Sequence, residues 1–529
     1  MQRLFVKNTS FLIFVAVFFH YLFTACHAQH PEQEEIIPPK YEFRGVWIAT
    51  IANIDWPSRR DLSSDEQKKE FRELLDFHKN AGINAVFVQI RASGDAFYAK
   101  SKEPWSEWLT GRQGKAPEPF YDPLEFMIQE AHNRGMEFHA WLNLNRVVHK
   151  TIGRVSPDNI GLKHPEWVLS FDGYKIFNFG IPEVRQFITD MAVDIARDYD
   201  VDGIHFDDYF YPYPVPGQKL NDEESFRKYG KNFSRKEEWR RHNIDELIYG
   251  ISKGLEMVKP SVKFGISPFG VWRNKGVDSE GSATVGGLAS YDDLYADVRK
   301  WLKENWIDYV VPQVYFSEKF RKVPYQNLVN WWMENTYGRH LYIGQAAYRA
   351  SNLDPDPYWH NPKELINQIS YNRQHEMMGS VFFSSRSLKT NNFGITDTLK
   401  SKFYNYPALV PPMPWKDNIP PSNPRSLKAS LNEEGVNLFW REPEEASDGE
   451  TATYYVVYRF KPGEKTGSRD PRKIVGIIRN KELKFIDKNI SLGDRFAYYV
   501  TAVDRLNNES RPVGPLRIEV GDKKLIQFK

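Results

Sequence analysis

Between residues 44 and 403, short runs rich in β-branched and aromatic residues alternate with longer amphipathic ones. "RGVWIATI" (44–51) precedes a helical period over 65–80, "AVFVQIR" (85–91) one over 122–134, and "EFHAWLN" (137–143) one over 182–199. "GIHFDD" (203–208) precedes 237–258, "KFGISPFG" (263–270) precedes 291–304, and "YVVPQVYF" (309–316) precedes 324–337. "LYIGQAAYR" (341–349) and "SVFFSSRS" (380–387) precede 361–376 and 395–403. Strands buried on both faces read as near-continuous apolar runs, and regular alternation with helices implies a parallel sheet. Eight such units predict an α/β fold, a (β/α)8 TIM barrel with enlarged loops over 41–405. A doubly wound open sheet ranks lower, because no Gly-rich phosphate turn follows the first strand.

Beyond Phe403 the pattern changes. "YNYPALVPPMPWKDNIPPSNP" is proline-rich and predicts a stiff linker over 406–420. From 421 to 522 the helical period gives way to short alternating runs, "GVNLFW", "TYYVVYRF", "KFIDK" and "FAYYVTAVD", which predict a small all-β sandwich. The order of a Trp440-bearing strand, then "YYVVYR", then "FAYYVTAVDRLNNES" resembles a fibronectin type III domain, commonly a spacer or binding module.

At the N-terminus, Arg3 and Lys7 precede the apolar run "FLIFVAVFFHYLFTA", and "CHAQ" follows. A charged start, an apolar core and small residues near a cleavage point predict an export signal over 1–28. The run is shorter than the ~20 residues a membrane-spanning helix needs. Cleavage after Ala28 and cleavage before Cys26, leaving a lipid-anchored cysteine, both fit. A loose segment follows over 29–40. Cys26 is the only cysteine, so the mature chain is read as lacking disulfides despite a periplasmic or cell-surface destination.

Charge is balanced, 71 Lys and Arg against 69 Asp and Glu, with no long basic block, which argues against a nucleic-acid partner. The 15 Trp, 28 Tyr and 35 Phe, many in loop-like segments, suit flat, weakly charged ligands such as sugars. No cofactor motif is read, and oligomeric state is left open.

In a parallel barrel the reactive groups sit at the C-terminal ends of the strands. In chain order, those ends supply Asn53, Asp55 and Trp56, then Gln89, Arg91 and Asp95, then Asn143, Asn145 and Arg146. Strand four supplies His205, Asp207, Asp208 and Tyr209; strands five to eight supply Trp272, Gln313 with Tyr315, Tyr348 with Arg349, and Arg386. If Ile204 and Phe206 face the helices, His205 and Asp207 face the lumen, with Asp208 at the rim. Adjacent carboxylates raise one another's pKa, so one can stay protonated near neutrality and the two can act as acid and base. The competing reading has them pair with Arg91, Arg146 or Arg349 and merely brace the barrel mouth.

"FRGVWIATIANIDWPS", "GINAVFVQIR", "GDAFY", "HAWLNLNR", "DGIHFDDYFYP" and "VVPQVYF" together resemble the glycosyl-hydrolase-like 10 family, over about residues 41 to 405. The resemblance implies an exported barrel protein, often a lipoprotein, regarded as a glycoside hydrolase and connected in part of the family with peptidoglycan glycan strands. The family's acidic strand-four motif falls on Asp207 and Asp208. "DGIHFDDY" is also similar to the D-G-x-D-x-D-x-E motif of family 18 chitinases, but His205 replaces one Asp and Tyr209 stands where the acid is Glu. Substrate-assisted hydrolysis therefore does not carry over.

Ordinary glycoside hydrolysis needs two carboxyl groups, one protonating the leaving oxygen and one acting as nucleophile or base. Asp208 is read as the general acid and Asp207 as nucleophile or base, with Asp95 the substitute for either, since neighbours on one strand are closely spaced for straddling a bond. Arg91, Asn143, Asn145, His205, Tyr209, Gln313, Tyr315 and Arg349 are read as sugar-binding. Trp56, Tyr98, Trp105, Trp108 and Trp272 are candidate stacking rings. Two other classes stay open: a non-catalytic glycan-binding protein, and a metal-dependent polysaccharide deacetylase. The latter needs histidine ligands at helical spacing, and none of the 13 histidines forms H-x-x-x-H, so no metal is assigned.

Overall fold

The structure, a computed structural model, describes residues 38–467, 470–479, 482–522 and 524–528. The predicted export signal, Cys26 and most of the 29–40 segment lie outside the described residues. Pro39–Lys529 form one compact unit.

Eight strands build the barrel: β1 (Phe43–Ile48), β2 (Ala85–Arg91), β3 (Glu137–Leu142), β4 (Gly203–Phe206), β5 (Lys263–Ile266), β6 (Tyr309–Val310), β7 (His340–Leu341 and Ile343–Gln345) and β8 (Gly379–Phe382). All pair in parallel. The two ends of the hydrogen-bonded series are the halves of β7: His340–Leu341 pairs with β6, and Ile343–Gln345 pairs with β8. Consecutive halves of one strand thus close the ring.

Several strands stop short of the sequence-predicted ends, β4 at Phe206, β5 at Ile266 and β6 at Val310. Pro268 and Pro312 carry no N–H to donate to a ladder, so the chain leaves the sheet there and becomes rim. Helices pack outside between strands, among them Ser64–Asn80, Pro123–Asn133, Pro182–Asp198 and Lys236–Val258. The first opens on a capping box in which Ser63 and Glu66 satisfy one another's backbone N–H groups.

Side chains alternate as the period of two requires. Val46, Ile48, Val86, Val88, Phe138 and Ile204 face the helices, whereas Phe43, Trp47, Phe87, Trp141, Tyr309 and Tyr342 fill the lumen. Glycine makes this density possible at β4 and β5: a Cβ at Gly203 would lie 2.3 Å from His139 Nδ1, and one at Gly265 2.1 Å from the Tyr309 ring.

A polar chain runs through the lumen. Trp47 Nε1 can only donate, so His205 Nε2 accepts at 3.3 Å. Burial lowers the pKa of His205 well below its ordinary value and keeps the ring neutral, so Nδ1 carries the proton toward the Tyr309 hydroxyl, 3.2 Å away. Tyr309 then donates to His139 Nδ1 at 2.8 Å, and His139 Nε2 donates to Glu137 at 3.1 Å. Glu137 also receives Lys263 and, at 3.0 Å, Asn507.

After β3 the chain makes an excursion that the sequence pattern did not announce: a three-stranded antiparallel sheet of Arg146–Val148, Val168–Phe171 and Tyr174–Phe177. Its tight turn is Asp172–Gly173, both at positive φ, the Asp-Gly signature of a two-residue hairpin.

The C-terminal region forms two antiparallel sheets, of three and five strands. Val436, Leu438 and Trp440 of one pack on Tyr455, Val457, Phe496 and Tyr498 of the other. The proline-rich stretch is not a free spacer. Val410 and Met413 are buried in one cluster with Phe43 and Tyr342, and Trp415 and Lys416 each reach Asp308 at 3.0 Å. Asp202, immediately before β4, receives Arg479 and Arg505 from the C-terminal β region and His132 Nε2 at 2.7 Å. These ties all lie at the N-terminal ends of the strands, the end of such barrels associated with stability.

Candidate active site

At the opposite end, β4 delivers Asp207 and Asp208 into a frame made by three other segments. Asp207 Oδ2 accepts from Trp141 Nε1 and Asn143 Nδ2, both at 3.0 Å, and Oδ1 from the Tyr209 N–H at 3.2 Å. Asp208 Oδ1 accepts from Gln313 Nε2 at 3.0 Å, and Oδ2 from the Tyr213 hydroxyl. One carboxyl is therefore held from the β3 side and its neighbour from the β6 side and its own loop. Residues adjacent in sequence are turned toward different parts of the rim.

Both side chains are almost fully buried, 6% and 2% exposed. Burial, and then the charge of Asp208, push the Asp207 carboxyl up from 3.8 to about 6. Burial also raises Asp208, against the hydrogen bonds from Tyr213 and Gln313. Groups this close titrate as a unit rather than singly. Arg146 pulls both downward but forms no ion pair with either among the described residues.

Aromatic rings wall the cleft. Tyr209 and Tyr213 stack at 5.1 Å, with the Arg146 guanidinium 4.3 Å over Tyr209. Across from them, Tyr315 meets Tyr348 at 5.9 Å and Phe383 at 6.4 Å, and Tyr348 is half exposed. The charges of Asp207 and Asp208 reach Tyr315, which places it on the same cleft.

Several sequence-predicted site residues have other employment. Arg91 is wholly buried, bidentate to Glu103 at 2.6 Å for each bond, and donates to the Asn143 and Arg146 carbonyls. Asp95 is also buried: its neighbours are Ser93, Ser106, Glu103 and Arg91, burial pushes its carboxyl up to about 7, and among the described residues it makes no hydrogen bond to the pair it was to complement. His205 lies one layer below the carboxylates, both ring nitrogens taken. Asn145 donates to the Phe210 carbonyl at 2.6 Å, shaping the loop rather than facing the cleft. Arg349 is bidentate to Asp354 and holds the Tyr315 carbonyl at 2.8 Å, so it positions a wall residue.

The stacking candidates fare similarly. Trp272 is buried, donates to Asp297 and stacks on Trp331 at 5.5 Å. Trp56, Tyr98 and Trp108 are core, and Trp105 packs edge-on against Phe120. Aromatic loop residues flanked by helices bury more area by packing onto those helices than by facing a cleft. Asn53, Asp55 and Gln89 likewise bind loop backbone: Asp55 ties the strand-one loop to Ser384 and the Arg386 N–H.

Asn143, Tyr209, Gln313 and Tyr315 do meet at the pair. Sequence reasoning missed Trp141 and Tyr213. Trp141 faces His205 across the β3–β4 ladder, so the period-two rule applied to "EFHAWLN" already put it on the lumen face.

A sequence profile described as glycosyl hydrolase-like 10 matches residues 42–361. The chain belongs to the glycosyl hydrolase-like 10 family. It is 45% identical over 479 residues to the glycosyl hydrolase YngK of Bacillus subtilis (strain 168), covering 89% of this chain and 92% of that relative. It is 35% identical over 421 residues to the glycosyl hydrolase DigH of Escherichia coli (strain K12), covering 72% and 93%. Among solved structures, the PgaB (BpsB) glycoside hydrolase domain from Bordetella bronchiseptica aligns with a TM-score of 0.42 at 14% identity, over 68% of this chain and 99% of that one. The matched glycosyl hydrolase-like 10 region spans β1 to β7 and the whole frame around Asp207 and Asp208, including Trp141, Tyr213 and Gln313.

Proposed function

We propose that this protein hydrolyses glycosidic bonds, with peptidoglycan glycan strands the best-fitting substrate. The observation that carries the reading is the pair of buried carboxyls, both raised, held by separate hydrogen-bond frames at the C-terminal mouth between two aromatic walls. One proton shared by such a pair makes it at once an acid and a base.

The polarity of the partners assigns the proton. Trp141, Asn143 and the Tyr209 N–H can only donate where they touch Asp207, which favours the ionised form there. Tyr213 can turn its hydroxyl and accept, so a protonated Asp208 keeps its hydrogen bond. Asp208 is then the general acid and Asp207 the nucleophile or the base that activates water. Tyr209, Tyr315 and Tyr348 would offer ring faces to the sugar, while the buried Asn143 amide holds Asp207 in place.

The deacetylase reading is disfavoured by His205, the histidine next to the pair in sequence, whose two nitrogens are committed to Trp47 and Tyr309. Export belongs to the proposal on the strength of the N-terminal pattern, with a lipid anchor where cleavage falls before Cys26 and none where it falls after Ala28, and a fibronectin type III-like buttress on that of the C-terminal one. The test is incubation with peptide-free peptidoglycan strands alongside chitin, cellulose and starch, looking for new reducing ends. Asp207→Asn and Asp208→Asn should each abolish them. Glycan binding that survives both substitutions, with no reducing ends from wild type on any glycan, would favour a non-catalytic binder instead.

A further inference from the structure

Beside the carboxyl pair, between the inserted antiparallel sheet and the β4 loop, lies a cavity of about 160 Å³. That is room for roughly five waters at ~30 Å³ each, enough for a substituent on a bound sugar. Its walls include Phe171, Tyr174, Ile176, Tyr213 and Val215, and Arg146 stands at its edge.

Arg146 is the unusual member. Its guanidinium lies 4.3 Å from the Tyr209 ring centre and 5.9 Å from that of Tyr174, and among the described residues it makes no hydrogen bond or ion pair through its side chain. The one carboxylate lining the cavity, Asp172, is paired with Lys150 at 3.6 Å. Yet the backbone beneath Arg146 is fixed: its N–H donates to Asn143 Oδ1 at 3.4 Å, and its carbonyl accepts from Arg91 at 3.2 Å. The amide that holds the Arg146 backbone also donates to Asp207, so cation and carboxyl pair are kept in one register. A guanidinium presents a planar fork that matches a carboxylate with two parallel bonds. Apolar walls beside an unspent fork suit a carboxylate on a short arm better than a bare hydroxyl.

We propose that this cavity is a subsite for a carboxylate-bearing sugar, with Arg146 its anion-binding residue. The inference rests on the glycan reading of the neighbouring pair and narrows it to acidic strands. Two sources carry that chemistry, an ether-linked carboxylate of the muramic type and a uronic acid.

The test is calorimetric binding by the full chain carrying Asp208→Asn, which silences turnover. The probes are a peptide-free muramic-type tetrasaccharide, the same compound with its carboxyls methyl-esterified, a uronate tetramer and a chitin tetramer. The expected result is at least tenfold tighter binding of one acidic probe than of its neutral counterpart. Adding Arg146→Gln should remove that preference and leave the neutral probes unchanged, and Arg146→Lys should restore only part of it. No preference in the Asp208→Asn protein, or an equal loss on acidic and neutral probes, overturns the proposal. The esterified probe tests it even if Arg146→Gln does not fold. A carboxylate preference without any cleavage by wild type would sink the hydrolase reading and leave this one standing; cleavage without the preference would do the reverse.

Discussion

Trp141 donates its indole N–H to Asp207 Oδ2 at 3.0 Å. The indole stands opposite His205 in the ladder and reaches one layer up, so a residue that reads as barrel filling sets the orientation of a reacting carboxylate. Hydrogen bonds to charged groups contribute about 1.5–3 kcal/mol. Trp141→Phe should therefore lower kcat/KM on glycan strands by roughly 10- to 100-fold, at 1.4 kcal/mol per factor of ten. The lost donor also favoured the ionised form of Asp207, so the acidic limb of the rate profile should move upward. An unchanged profile would mean that the indole only fills space.

Rate against pH should be bell-shaped, because the pair must hold one proton. Asp207 is pushed up to about 6 by burial and by the charge of Asp208, so ionisation of this nucleophile or base should set the acidic limb near that pH, and loss of the proton from the raised Asp208 carboxyl should set the alkaline limb. Steady-state kcat/KM from pH 3.5 to 9 checks this. A rate that stays flat from pH 3.5 through 6 would show that Asp207 need not ionise and would remove it as nucleophile or base.

Tyr213→Phe probes the other carboxyl. It keeps the stack on Tyr209 but removes the hydroxyl from Asp208 Oδ2. That hydrogen bond lowers the Asp208 carboxyl, so its loss should raise the alkaline limb and reduce kcat by about tenfold. A change confined to KM would recast Tyr213 as a binding ring.

The eight strands were legible because barrel strands buried on both faces must be apolar throughout, and the same period of two points His205 and Asp207 inward. The rim was not. Trp56 and Trp272 sit on loops by sequence yet turn onto neighbouring helices, while Arg91 and Arg349 spend their guanidinium groups on Glu103 and Asp354. Which loop aromatic or arginine is free depends on partners distant in sequence, which local patterning does not encode. The inserted sheet that walls the Arg146 cavity went unread as well, although its Asp172–Gly173 turn carries the local Asp-Gly signature of a two-residue hairpin.

Asp202 tests the tie between barrel and C-terminal sheets. Burial raises its carboxyl, but Arg479, Arg505 and His132 outweigh burial and hold it well below the ordinary 3.8. A depressed carboxylate adds stability that is present above the unfolded value and lost as pH falls through the folded one. Arg479→Met should cost about 2 kcal/mol at pH 7, less than the 3–5 for a buried charge left wholly unpaired, because Arg505 and His132 remain. Its acid unfolding should begin at higher pH than in wild type. Guanidinium melts at pH 7 and 4 measure both.

Asp207 has the opposite sign. Its carboxyl is raised from 3.8 to about 6, so the folded state favours the protonated form more than the unfolded chain does. The associated stability is fully present below 3.8 and is lost as pH rises through about 6. Roughly two units at 1.36 kcal/mol each set a ceiling of about 3 kcal/mol. Asp207→Asn carries no charge to penalise, so its stability relative to wild type should improve from pH 4 to pH 7.5 by up to that amount. Part of the gain is offset because the Asn amide turns one N–H-donating edge toward the donors Trp141, Asn143 and Tyr209. The variant should therefore be inactive yet more resistant to guanidinium at pH 7.5 than at pH 4.5, measured relative to wild type at each pH. A pH-independent difference would mean that Asp207 is ionised throughout, with the shared proton confined to Asp208.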